Sequence, residues 1–96
     1  LTEWLWTILL RGEHARPYNV GSGEAISIRD LAFAVRACAG THNPVTVQGT
    51  ARPERPPSRY VPSVDRAAQE LGLTPRCSLT QGIERTLAWH RAAAAR

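Results

Sequence analysis

The sequence predicts a small α/β chain of about four helices with two or three short strands. Three observations carry that prediction. Four segments repeat apolar residues at helical spacing, with serines where helices start and glycines where they stop. Between them, Tyr18-Asn19-Val20 and Val45-Thr46-Val47 are short apolar runs bounded by turn residues, the pattern of brief strands. And from Tyr18 to Ala32 an apolar run, a glycine turn and a capped amphipathic helix follow one another. That order presents backbone N–H groups and small side chains to a phosphorylated ligand.

The elements follow in order. Leu1, Trp4, Leu5, Ile8 and Leu9 form one helical stripe, which Trp6 and Leu10 widen. So apolar a helix expects cover on more than one side, and so a partner surface. Gly12 ends it, and Glu13-His14-Ala15-Arg16-Pro17 is a polar turn leading into the first strand. Ser27 caps the second helix, with Asp30 placed for a capping-box-like pair. Ile28, Leu31, Ala32, Val35 and Ala39 make its inward stripe, and Gly40 its stop. Residues 49–62 hold four prolines and three arginines, an extended and non-helical loop. Ser63 is the expected cap of a third helix that turns Val64, Ala67, Ala68 and Leu71 inward and stops at Gly72. Ser78, with Gln81 three residues on, caps a last helix that buries Leu79, Ile83 and Leu87 and frays from Ala92. No internal repeat is evident.

Composition bounds the function. Ninety-six residues make a single domain with a marginal core, and 43% hydrophobic with 21% charged residues is globular rather than disordered. All twelve basic residues are arginine, against eight acids, so no mechanism can use a lysine of this chain. Guanidinium-only basicity suits planar recognition of phosphate or carboxylate. The arginines are scattered without interleaved aromatics, which argues against nucleic acid. The apolar run Trp4 to Leu10 is too short to span a bilayer, so no membrane partner is expected. Cys38 and Cys77 are far apart, without metal-ligand spacing, and read as reduced thiols of a cytoplasmic protein. His14, His42 and His90 share no spacing, so neither a metal nor a catalytic base is expected of them. Leu1 in place of a methionine reads as a chain processed or cut from something larger.

Gly21-Ser22-Gly23 begins a dinucleotide-type glycine loop, but Ile26 stands where the third small residue belongs. Its bulk resists the close helix–strand approach that the motif needs, so this is a ligand loop of another kind.

Four ordered pieces of the chain resemble the C-terminal part of the NAD-dependent epimerase/dehydratase family, the extended short-chain dehydrogenases that remodel nucleotide sugars. The first is the apolar helix ending Ile8-Leu9-Leu10-Arg11-Gly12. Tyr18-Asn19-Val20-Gly21-Ser22 leads into Ser27-Ile28. Then come Arg59 to Ala67 with Glu70-Leu71-Gly72-Leu73. Pro75, Ser78-Leu79, Gly82-Ile83 and Thr86-Leu87-Ala88-Trp89 close the set. The resemblance is nearest to the dTDP- and CDP-glucose 4,6-dehydratases. It implies that residues 1–96 are the substrate-binding portion of a larger enzyme that carries NAD(P) and a Tyr-x-x-x-Lys pair on a Rossmann domain absent here. No cofactor and no catalytic residue is expected in this chain, and neither Tyr18 nor Tyr60 matches the family's catalytic tyrosine.

The resemblance also assigns residues. Ser27 matches a position that contacts the nucleotide sugar, and a short hydroxyl beside free helix N–H groups suits a base or ribose. Arg52 matches the arginine facing the diphosphate. Glu54 and Arg55 fall where ribose- or phosphate-contacting residues follow, though the loop is about a residue longer than the common pattern. Arg59 is a further substrate-side candidate, with the competing role of fixing Tyr60 and the third helix. Asn19 is expected to tie the glycine turn to a neighbouring loop. The expected partners are a nucleotide-diphosphate sugar and, through the first helix, either the missing Rossmann domain or a second copy of the chain. Two other readings compete: a structural, self-associating module with a vestigial site, and a proline-rich ligand displayed by Pro53-Glu54-Arg55-Pro56.

Overall fold

The computed structural model describes residues 1–96 as four helices without a strand: α1 (Thr2–Arg11), α2 (Ile28–Ala39), α3 (Asp65–Leu71) and α4 (Leu79–Ala94). The α/β expectation is therefore corrected to an all-helical one. Tyr18–Val20 shows why. Tyr18 and Val20 pack against the core while Asn19 donates its amide to the Ser63 carbonyl, 3.0 Å away. The alternation that suggested a strand is real, but no backbone ladder forms beside it. Strand formation needs a partner, and three alternating residues do not supply one. Val45–Val47 lacks a ladder in the same way.

The chain divides into two compact units, one of Leu1–Ala25 with Ser58–Arg76, the other of Ile26–Pro57 with Cys77–Arg96. In the first, α1 packs on α3 around a core of Trp4, Ala67, Leu71 and Leu73, rimmed by half-buried Ile8, Tyr18, Val20 and Val64. Only one side of α1 is covered; Leu5, Trp6, Leu9 and Leu10 face water. Asn19 ties its segment to the loop before α3, as its position suggested. The expected Ser63 cap is corrected. Val64 stands at the N-cap of α3 without a side-chain bond, and the Ser63 hydroxyl meets the Asp65 carboxylate at 3.3 Å. The helix starts one residue later than the spacing suggested, so Ser63 stands one position before the cap and only its hydroxyl proton is used. Gly72, at φ 64°, ends α3 in the left-handed conformation that glycine adopts most readily, and the Leu73 N–H reaches back to the Ala67 carbonyl, which turns Leu73 into the core.

In the second unit α2 packs on α4. The Asp30 N–H donates to Ser27 Oγ at 3.0 Å, half of the expected capping pair. Gly40, at φ 65°, closes α2, with the Thr41 N–H on the Arg36 carbonyl and the Gly40 N–H on that of Ala37, a Schellman motif. Arg91 of α4 donates to the Ala39 carbonyl at 3.1 Å, satisfying another terminal acceptor. Ser78 and Gln81 form the complete capping box, at 2.9 and 3.2 Å. The helix runs through Ala94 instead of fraying at Ala92, in keeping with alanine's helix preference. Leu31, Ala32 and Ala39 are half-buried, but Ile28 is 81% exposed and Val35 also largely exposed, so the inward stripe of α2 is narrower than its spacing suggested. No helix is long and apolar enough to cross a membrane.

Candidate functional site

Residues 49–62 form no helix, as four prolines dictate. Within them the Arg55 N–H donates to the Arg52 carbonyl at 3.0 Å, closing a four-residue turn with Pro53 second, where its fixed φ suits the turn. The turn bends Pro53-Glu54-Arg55-Pro56 away from the polyproline helix that a proline-reading domain grips, which removes the support for that reading. It also puts Arg52 and Arg55 on the wall of one open hollow of about 590 Å³, with Pro53, Pro56 and Pro57. Glu54 lies within the turn but not on that wall. Neither arginine is engaged by a carboxylate: the ion pairs of the chain are Arg16 with Glu13 and Glu70, Arg66 with Glu70, and Arg76 with Glu3. Two uncommitted guanidiniums on a proline-stiffened wall suit an anion with several oxygens.

Ser27 belongs to the same unit and is exposed at the start of α2. Its Oγ accepts the Asp30 N–H, so capping uses its acceptor and leaves the hydroxyl proton to donate. It is not among the residues lining the hollow. Arg59 falls in the other unit, exposed and without a hydrogen bond, and Tyr60 beside it is exposed too. The tie into α3 expected of Arg59 is made by Arg66, whose Nη1 donates to the Pro17 carbonyl at 2.9 Å.

The glycine loop does not fit a dinucleotide. The Glu24 N–H turns onto Ser22 Oγ at 3.1 Å, and α2 begins only at Ile28, well past Gly23. A pyrophosphate on the glycines is thus remote in sequence from the helix start that should hold it. No three His, Cys, Asp or Glu side chains converge as a metal site, and both cysteines are free.

The sequence reading missed one polar cluster. Arg16 donates through Nε and Nη2 to both Glu70 oxygens, at 2.7 to 3.0 Å; the Tyr18 hydroxyl lies 3.3 Å from Glu70, and Arg66 Nε is 3.7 Å away. The bonds from Arg16 hold the Glu70 carboxyl below its ordinary value, and Glu70 in turn raises the Arg16 guanidinium. Arg66 and Glu70, four apart on a helix, were a legible pair; Arg16 comes from a distant turn and had no local signal. A second hollow of about 420 Å³ involves Asn19, Ser63, Asp65 and Arg66. Its polar groups already bond one another or the nearby backbone, so it is a joint of the fold more than an open site.

Over 84 residues, 88% of its length, the chain is 37% identical to a protein described as putative GDP-L-fucose synthase 2 of Oryza sativa subsp. japonica. It is 35% identical over 72 residues to putative GDP-L-fucose synthase 2 of Arabidopsis thaliana, and 33% identical over 72 residues to GDP-L-fucose synthase 1 of the same plant. The matches span 21–23% of these relatives, so the chain corresponds to about a fifth of each. No family model and no solved structure matches it. The chain is thus similar, over most of its length, to a segment of enzymes named for a GDP-sugar. None of the three is named as a dehydratase, so the dehydratase-like subtype has no support.

Proposed function

We propose that this chain is a nucleotide-sugar-binding segment of an enzyme related to the GDP-L-fucose synthases, with Arg52 and Arg55 facing the substrate diphosphate. The observation that carries this reading is the Arg52–Arg55 turn, which sets two guanidiniums without carboxylate partners on one hollow. The similarity to proteins named for a GDP-sugar supplies the kind of anion. The Ser27 hydroxyl, with its proton still to donate, meets the base or ribose. Glu54 acts at most on the rim of the ligand, since it does not line the hollow, and Arg59, which belongs to the other unit, is given no part in this reading. In the whole enzyme, NAD(P) supplies the hydride chemistry from outside this segment. This chain's share is to grip and orient the substrate: charge-assisted bonds fix the diphosphate, and the prolines limit the entropy lost when the loop orders around it.

The test is an NMR titration of the chain with GDP-, UDP-, dTDP- and CDP-sugars. A GDP-sugar should move the amides of residues 50–57 and Ser27. Arg52→Ala should weaken its binding roughly tenfold, the scale of one hydrogen bond to a charged group. Arg52→Lys should recover only part, because a point charge does not replace a planar fork. If no nucleotide sugar moves these amides, or the shifts survive Arg52→Ala combined with Arg55→Ala, the reading is wrong.

A further inference from the structure

We propose that Ser58 is a phosphoacceptor for an arginine-directed protein kinase, and that its phosphate turns off anion binding at the Arg52–Arg55 turn. The second half rests on the diphosphate reading above; the first stands without it. The chain has five serines, and four are engaged. Ser22 and Ser27 accept backbone N–H groups, Ser63 donates to Asp65, and Ser78 is held in its capping box. Ser58 alone makes no hydrogen bond; it is exposed and lies outside every helix, so its hydroxyl is free to enter an active site.

The flanking residues fit the same use. Ser58 is the one serine or threonine of the chain with an arginine three positions before it, Arg55, and Arg59 follows it directly. Neither arginine is paired with a carboxylate, so an acidic kinase groove can take both without breaking a bond of the fold. Arg55 and Pro56 each precede a proline, which keeps their backbone extended. An extended segment is the form that a kinase groove receives, and the prolines lower the entropy cost of ordering it there. In the transfer, the Ser58 oxygen bonds to the γ-phosphorus of ATP and the bond from that phosphorus to the β-phosphate oxygen breaks. ADP leaves, and the hydroxyl proton passes to the aspartate of the kinase's catalytic loop.

The consequence is a change of charge. Residues 49–62 carry three arginines and one glutamate, a net charge of +2. A phosphate of about −2 on Ser58 brings the segment close to neutrality. Ser58 follows Pro57, the last residue on the wall of the hollow, and lies three residues from Arg55. Three residues span at most about 10 Å, so the chain carries its own competing anion within reach of that guanidinium.

The chain is incubated with a purified arginine-directed serine kinase, ATP and Mg²⁺, and followed by intact-mass and fragment-ion mass spectrometry. It should gain one phosphate, located on Ser58, and Ser58→Ala should gain none. Arg55→Ala should slow incorporation roughly tenfold, the scale of one charge-assisted pair, whereas Arg85→Ala, at an exposed arginine of α4, should not. In an NMR titration the phosphorylated chain should then bind a GDP-sugar roughly tenfold more weakly than the unmodified one. No incorporation overturns the proposal, as does phosphate that persists in Ser58→Ala or a rate indifferent to Arg55→Ala. Equal GDP-sugar affinity before and after phosphorylation overturns the switch and leaves the diphosphate reading standing. Absence of binding by the unmodified chain overturns that reading and the switch with it, while the mass measurement alone decides whether Ser58 is the acceptor.

Discussion

Replacing Leu71 by alanine asks whether the cluster around Trp4 holds its unit together. Leu71 is 7% exposed and shares that cluster with Trp4, Ala67 and Leu73. The change removes three carbons, at about 0.8 kcal/mol for each buried one, so the transfer loss is roughly 2 kcal/mol. A cavity contribution adds to it, but Ile8, Tyr18, Val20 and Val64 form a half-buried rim able to move inward. That keeps the addition under about 1 kcal/mol and the expected total at about 2–3 kcal/mol. A unit this small has only about 3–5 kcal/mol to lose. Urea unfolding followed by tryptophan emission provides the assay, in a background of Trp6→Phe and Trp89→Phe. Both of those tryptophans are already exposed, and Trp4 is the buried one that reports unfolding. Protein concentration must be held fixed, since association shifts apparent stability. Ile28→Ala is the control: the residue is 81% exposed, and the small burial lost is offset by alanine's better helix propensity, leaving the change within about 0.5 kcal/mol. If Leu71→Ala costs no more than that control, the cluster is not the seat of stability and the reasoning fails.

Three further outcomes follow from the same unit. Glu70 has a folded pKa below its unfolded one, chiefly through its bonds from Arg16. Its contribution is therefore present above the ordinary carboxylate value of about 4.3 and disappears as pH falls through the lower folded value; Glu70→Gln should destabilise at pH 7 and match the parent chain under strong acid, as thermal melts at the two pH values would show. Asn19→Ala removes the bond to the Ser63 carbonyl and should cost about 1 kcal/mol in urea unfolding, with Asn19→Asp no better, because it has no amide proton to give. Gly12→Ala should cost about 1–3 kcal/mol by the same measurement, since a Cβ there collides with the Ile8 carbonyl oxygen and meets the Tyr18 ring.

The helix ends were legible because capping is local. Ser27 with Asp30 and Ser78 with Gln81 needed only a spacing of three, and Gly40 and Gly72 only the left-handed preference of glycine. Ser63 misled by a single residue: α3 begins at Asp65, so the cap position falls on Val64 and the serine stands just outside it. The strands misled for a different one. Alternation at Tyr18–Val20 fixes which side chains face the core, but a ladder depends on another segment, and the sequence of these three residues holds no information about it. At the candidate site the absence of a helix was readable from the prolines, whereas the turn that Arg55 closes onto Arg52, Glu54 falling off the wall and Arg59 falling in the other unit depend on how the loop is folded.

The two units divide the physical work unevenly. Every buried side chain belongs to the unit of α1 and α3, while the unit carrying the Arg52–Arg55 turn has none. On the reading proposed above, a loop in so lightly buried a unit meets few packed contacts that resist its closing on a ligand. The same freedom would make closure costly in entropy. Pro53, Pro56 and Pro57 counter that cost, since they restrict the loop before any ligand arrives. The prolines and the arginines are then two halves of one device. One set of residues limits the shapes the loop can take, and the other supplies the charge that an anion meets. Neither alone would distinguish this stretch from an ordinary basic turn, and it is their interleaving that makes residues 49–62 the strongest candidate for a ligand site in the chain.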